Sequence, residues 1–238
     1  MKTNEADIFI INNLVAGYPS AVVLEGIDIS FQRGEICGII GEEGAGKSTL
    51  LKALTGQIIP KGSIVYNGKD ISGLPTHKII QNNMDFIVQG GNILPAFTVE
   101  EHLRLAVSGK SKKEATVLLE TVVETFPIMK TLKKQYGGTL SGGERTLLSI
   151  ACVLATNNDL LILDEPTAGL SPEMCCSIEK SLLYLKKQNK TVLLLEHNYD
   201  FVFGVADSVG VLKDGKMSRK FRADEFTMAS FIENELYQ

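Results

Sequence analysis

One stretch constrains this chain more than any other: Glu35-Ile36-Cys37-Gly38-Ile39-Ile40, running into Gly41-Glu42-Glu43-Gly44-Ala45-Gly46-Lys47-Ser48. The first part reads as a buried strand that ends in a glycine loop. Beyond Lys47 the apolar spacing of Leu50, Leu51 and Leu54 is helical. A strand-loop-helix is therefore predicted over residues 36–56. The loop fits G-x-x-x-x-G-K-[ST] in full. Its glycines let successive backbone N–H groups turn inward around phosphate oxygens, where side chains would collide. The helix N-terminus adds a favourable dipole. Lys47 brings a mobile positive charge to the outer phosphates, and Ser48 offers a hydroxyl to Mg²⁺.

A second motif supports the first. Leu160-Leu161-Ile162-Leu163-Asp164-Glu165 is an apolar strand that ends in two carboxylates. A buried strand puts Asp164 at the carboxyl edge of the sheet, where ligands of open α/β sheets collect. Asp164 suits a Mg²⁺ site, and Glu165 suits the base that accepts a proton from an attacking water. Together the two motifs define a phosphate-loop nucleotidase and nothing finer.

The rest of the chain reads as alternating strands and helices, which predicts an α/β fold with a mostly parallel, buried core sheet. Ile8–Ile11 and Ile27–Phe31 are short runs separated by turn residues, read as N-terminal antiparallel strands. Residues from about Val99 to Gln135 show helical periodicity and form a helical insertion. At Leu140-Ser141-Gly142-Gly143 a helix starts, with Ser141 as its cap, and it ends at Asn157-Asn158. Val192–Leu195 is a second apolar strand. Val209–Leu212 followed by Asp214-Gly215 reads as a hairpin, and a helix is expected near Glu225–Leu236.

At 238 residues the chain is long enough to bury a real core. Its 24 Lys and Arg against 28 Asp and Glu give a net charge of −4, which provides no general field for nucleic acid. Cys37, Cys152, Cys175 and Cys176 lack zinc-ligand spacing and read as free thiols in a reducing cytosol. The N-terminus shows no secretory signal, and nowhere do ~18 apolar residues run together to cross a membrane. A membrane role would have to come through a partner.

Leu140-Ser141-Gly142-Gly143-Glu144, one helix upstream of the Asp164 strand, resembles the signature of ABC ATPases. The resemblance covers essentially the whole chain and implies a single nucleotide-binding domain over 1–238, with a helical insertion at about 90–156. It implies an ATP-binding and ATP-hydrolysing transporter subunit that works as a homodimer or heterodimer with a second ABC subunit. In that family Ser141, Gly142, Gly143 and Glu144 would meet the γ-phosphate of the partner's ATP. Tyr18 matches the aromatic that stacks on adenine. Gln89 matches the glutamine that touches Mg²⁺ and the attacking water, so Mg²⁺ would be held by Ser48, Gln89 and Asp164. His197 matches the histidine that contacts the γ-phosphate, beside Glu165 in catalysis. The nucleotide-binding set is completed by Gly41, Glu42, Glu43, Gly44, Ala45, Gly46, Lys47, Ser48 and Thr49. Ala168-Gly169-Leu170-Ser171 matches a dimer-contact loop.

Within the family, Val88–Leu103 and Gly169-Leu170-Ser171-Pro172 are similar to branched-chain amino-acid importer subunits. Urea importers and some lipopolysaccharide exporters look alike here. The resemblance implies separate transmembrane permease subunits, a solute-binding protein, and a place on the cytoplasmic face of the membrane. A soluble ABC ATPase acting as an assembly or mechanical factor is the alternative. Four residues depart from the pattern. Glu42-Glu43 stand where Pro-Asn or Pro-Ser is usual, Asn198 stands for Asp, and Cys152 stands for a basic residue.

Overall fold

In the computed structural model, which describes residues 7–225, the chain opens with a long hairpin. Its arms are β1 (Asp7–Tyr18) and β2 (Ala21–Gln32), paired antiparallel. Both strands are longer than the short runs that the sequence predicts. The reason is an irregularity between Ile11 and Leu14, where Asn13 takes a left-handed φ of 45° and hides the alternation. The Asn13 N–H donates to Asp28 Oδ1 at 2.8 Å and holds that bend.

Next come β3 (Ile36–Ile40), α1 (Lys47–Leu54), β4 (Lys61–Tyr66), β5 (Lys69–Asp70), α2 (Thr76–Ile80) and β6 (Met84–Ile87). The helical insertion is α3 (Val99–Ala106), α4 (Lys112–Thr125) and α5 (Ile128–Leu132). Then follow α6 (Gly142–Thr156), β7 (Leu160–Asp164), α7 (Pro172–Lys187), β8 (Thr191–Glu196), α8 (Tyr199–Val205), β9 (Ser208–Lys213), β10 (Lys216–Met217) and β11 (Phe221–Arg222). The expected hairpin is thus β9 with β10. The helix expected near Glu225–Leu236 lies outside the described residues.

Two sheets result. One is antiparallel, in the order β2-β1-β4-β5; the other runs β10-β9-β3-β8-β7-β6, with β11 beside β9. Its central pairs, β9-β3, β3-β8, β8-β7 and β7-β6, are all parallel. Because side chains alternate across a strand, each central strand feeds two cores. Ile36, Ile40, Leu161, Leu163, Val192 and Leu194 face the core that α6, α7 and α8 cover. Cys37, Ile39, Ile162, Leu193 and Leu195 face the core shared with α1 and the antiparallel sheet. A sheet covered on both faces explains why β3, β7 and β8 are buried along their whole length and read as continuous apolar runs.

The start of α6 is a capping box: Ser141 Oγ accepts from Glu144 N at 3.3 Å, and Glu144 Oε2 accepts from Ser141 N at 2.7 Å. Thr98 and Glu101 form the same device at α3.

Candidate functional site

The loop from β3 to α1 is tied down by backbone bonds. Gly41 N donates to Glu196 O at 3.1 Å, and Ala45 N donates to Glu42 O at 3.2 Å. Gly46 has φ 111°, and a Cβ there would lie 2.7 Å from Leu24 Cδ2, so only glycine fits. Lys47 is buried. Its Nζ donates to Gly41 O at 2.6 Å and Glu42 O at 2.9 Å, and lies 3.2 Å from Glu165 Oε1.

A cavity of about 930 Å³ opens in front of this loop. Its wall brings together Tyr18, Glu42, Glu43, Gly44, Gly46, Lys47, Ser48 and Thr49 with Gln89 from the end of β6. Asp164, Glu165 and His197 reach the same cavity from the ends of β7 and β8. Parallel strands deliver their carboxyl ends to one edge, which is why residues so distant in sequence meet there. Gly41 and Ala45 lie buried under the loop rather than on the wall. Ser141, Gly142, Gly143 and Glu144 do not line this cavity.

The chemistry of the wall is unbalanced. Lys47 faces four carboxylates: Glu42, Glu43, Asp164 and Glu165. Glu42 and Glu43 are exposed, while the cradle itself is backbone. Asp164 is buried, and burial together with the Glu165 charge pushes its carboxyl up to about 6. Its Oδ1 is buried without a hydrogen-bond partner. Such an orphan oxygen, in a residue that lines the same cavity as Ser48, fits a hard cation that seeks oxygen ligands. Among the described residues no three His, Cys, Asp or Glu side chains are placed to hold a metal ion by themselves. That suits Mg²⁺, which is usually held by one or two carboxylates and the substrate's phosphates.

Glu165 has a left-handed φ of 44°, a strained position for a residue with a side chain. Its backbone N–H donates to Leu195 O at 2.8 Å, and His197 Nδ1 lies 3.6 Å from its Oε1. At the cavity rim Tyr18 is half exposed and its hydroxyl accepts from Lys52 Nζ at 3.0 Å, which lowers the phenol's pKa.

Sequence reasoning missed Val23 and Tyr199 on the wall, and Glu196 and Thr167 behind it. Glu196 did leave a signal: a charged residue closing an apolar strand. The two signature glycines differ in how tightly they are packed. A Cβ on Gly143 would lie 2.2 Å from Met174 Cγ, so α7 itself demands a glycine there. Gly142 meets only Leu170 Cδ2 at 3.6 Å, an ordinary contact.

Comparison with known proteins agrees with this geometry. A sequence model of the ABC transporter family matches residues 24–168. A probable branched-chain amino acid transport ATP-binding protein, LivF of Archaeoglobus fulgidus, is 34% identical over 214 residues, covering 89% of this chain and 91% of that protein. The branched-chain amino acid transport protein BraG of Pseudomonas aeruginosa is 35% identical over 201 residues, covering 84% and 86%. The crystal structure of an ATP-binding cassette of an ABC transporter in its ADP conformation superposes with a TM-score of 0.82 at 26% identity, covering 97% of this chain and 96% of that one. CbiO1 of Clostridium perfringens, part of the complex cbiONQ, also reaches 0.82 at 29% identity, covering 98% and 93%. With the phosphate loop, the paired carboxylates and the family match all falling on one fold, the chain belongs to the ABC transporter family, as an ATP-binding subunit that hydrolyses ATP to power transport.

Proposed function

We propose that the cavity in front of Gly41–Ser48 binds Mg-ATP and that its hydrolysis drives a solute importer of the branched-chain amino-acid type. The observation that carries this is the convergence of Lys47, Asp164, Glu165, Gln89 and His197 on one cavity. In this reading the loop amides and Lys47 bind the phosphates, Thr49 completes the loop, and Tyr18 stacks on adenine. Ser48, Gln89 and Asp164 hold the metal. Mg²⁺, when bound, draws off the charge that builds on the phosphate oxygens. Glu165 takes the proton from the attacking water, and His197 orients toward the γ-phosphate. Glu42 and Glu43 turn to solvent.

The solute class is supported by LivF and BraG, whose names state branched-chain amino acid transport. We read residues 1–238 as one nucleotide-binding domain with its helical insertion at about 90–156. No helix among the described residues is long and apolar enough to cross a membrane. In this reading the permease subunits are separate chains, with this subunit on the cytoplasmic face and a solute-binding protein opposite. Two such subunits, alike or different, close on ATP, each offering Ser141–Glu144 to the other's nucleotide. The transport relatives do not favour the assembly-factor alternative.

The test is calorimetric binding of Mg-ATP and release of phosphate by the purified chain, with Lys47→Ala alongside. Binding and turnover by the parent are expected, with binding weakened about 10- to 100-fold and turnover lost in Lys47→Ala. Equal behaviour of the two proteins would refute the reading.

A further inference from the structure

Glu196 closes β8 and is fully buried, yet four donors converge on its carboxylate. Oε1 accepts from Thr167 N at 3.0 Å and from Thr167 Oγ1 at 2.5 Å. Oε2 accepts from His197 N at 2.8 Å and from Asn198 N at 3.0 Å. The backbone carbonyl of Glu196 also accepts from Gly41 N at 3.1 Å. One residue therefore touches the start of the phosphate loop, the segment behind Glu165 and the loop that carries His197.

The sheet cannot do this by itself. The last paired residues of β7 and β8 are Asp164 and Leu195. One more bond, Glu165 N to Leu195 O at 2.8 Å, follows. Past that point the two chains leave the ladder, and their N–H groups need other acceptors. Three of the four donors on Glu196 are backbone N–H groups that can only donate, so both oxygens serve as acceptors, which suits a carboxylate. Such charge-assisted bonds are about twice as strong as neutral ones. An apolar residue would fill the space but leave three N–H groups unpaired, that of Thr167 buried and those of His197 and Asn198 partly buried.

We propose that Glu196 is a positioning residue for hydrolysis. It clamps the Glu165–Thr167 segment to the His197–Asn198 loop, and so sets the 3.6 Å approach of His197 Nδ1 to Glu165 Oε1. Thr167 is the second half of the clamp. This rests on the roles given above to Glu165 and His197.

Glu196→Gln keeps the size but points an NH₂ at N–H donors on one side. Turnover is expected to fall about 100-fold, the effect of misplacing reacting groups by about 1 Å. Affinity for Mg-ATP, measured by calorimetry, is expected to change less than about threefold, since the phosphate cradle is untouched. Thr167→Val removes one arm only and is expected to lower kcat about tenfold at unchanged affinity. Thr167→Ser keeps the hydroxyl and recovers most of that loss. Glu165→Gln runs beside them: if it retains turnover, the reading of the site is wrong, whatever the clamp does. If Glu165→Gln is inactive while Glu196→Gln and Thr167→Val turn over like the parent, the clamp has no positioning role. Loss of kcat and of affinity in equal proportion overturns it as well. Should Glu196→Gln fail to fold, the Thr167→Val and Thr167→Ser pair decides by the same criteria.

Discussion

Lys47 Nζ lies 3.2 Å from Glu165 Oε1 while it also donates to the carbonyls of Gly41 and Glu42. The cation of the phosphate loop and the carboxylate that follows β7 thus share one point of the cavity. Their functions are separable. Lys47→Ala removes a charged hydrogen bond to phosphate and is expected to weaken Mg-ATP binding about 10- to 100-fold. Glu165→Gln keeps the cradle, so binding should persist while phosphate release falls about 10²- to 10⁴-fold. Equilibrium binding and single-turnover hydrolysis on the two variants check both halves.

The two signature glycines are expected to behave differently. A methyl group at Gly143 collides with Met174, so Gly143→Ala should cost about 1–3 kcal/mol of stability in urea unfolding. Gly142 has room for a methyl group, and Gly142→Ala should unfold within about 0.5 kcal/mol of the parent. If residues 141–144 meet a partner's nucleotide, Gly142→Ala should nonetheless lower turnover. Equal unfolding midpoints for the two variants would show that α6 and α7 pack more loosely than here.

Glu42 and Glu43 border the cavity as exposed carboxylates, and they repel free ATP more than its Mg²⁺ complex, which carries less negative charge. Replacing both with Gln is expected to raise the affinity for ATP in EDTA about fivefold at low salt. The gain should shrink as ionic strength approaches about 1 M, where the screening length falls to about 3 Å. Titrations with a fluorescent ATP analogue across salt concentrations measure this directly. A gain that is indifferent to salt would remove charge as its cause.

Thiol reactivity should sort by burial. Cys176 is exposed, whereas Cys37 and Cys152 are held by burial at thiol pKa values of about 12. Raised thiol pKa values leave little thiolate at pH 8, and thiolate is the reactive form. Mass-spectrometric mapping after brief alkylation at pH 8 should therefore find Cys176 modified first. Cys37 and Cys152 should react only once the protein is unfolded.

Much of the site was legible because it is carried by short linear patterns. Gly41–Ser48 and Leu160–Glu165 each hold strand, loop and chemistry within a few residues, so backbone geometry and side-chain role arrive together. The hairpin lengths were not legible, since the bend at Asn13 depends on Asp28, fifteen positions away. The packing demand on Gly143 was not legible either, because its neighbour Met174 lies on another helix.

The sequence by itself determined that a phosphate-binding loop follows a buried strand, that two carboxylates end another, and that a capped helix begins at Ser141. Those are local statements, settled by glycine freedom, alternation and capping. Only the tertiary structure decided that β7 lies between β6 and β8, and β8 beside β3. That order brings Gln89, Asp164, Glu165 and His197 to Lys47 and places Glu196 where four donors need one acceptor. Strand order is set by how two apolar faces are buried at once, a property of the whole sheet that no single segment carries.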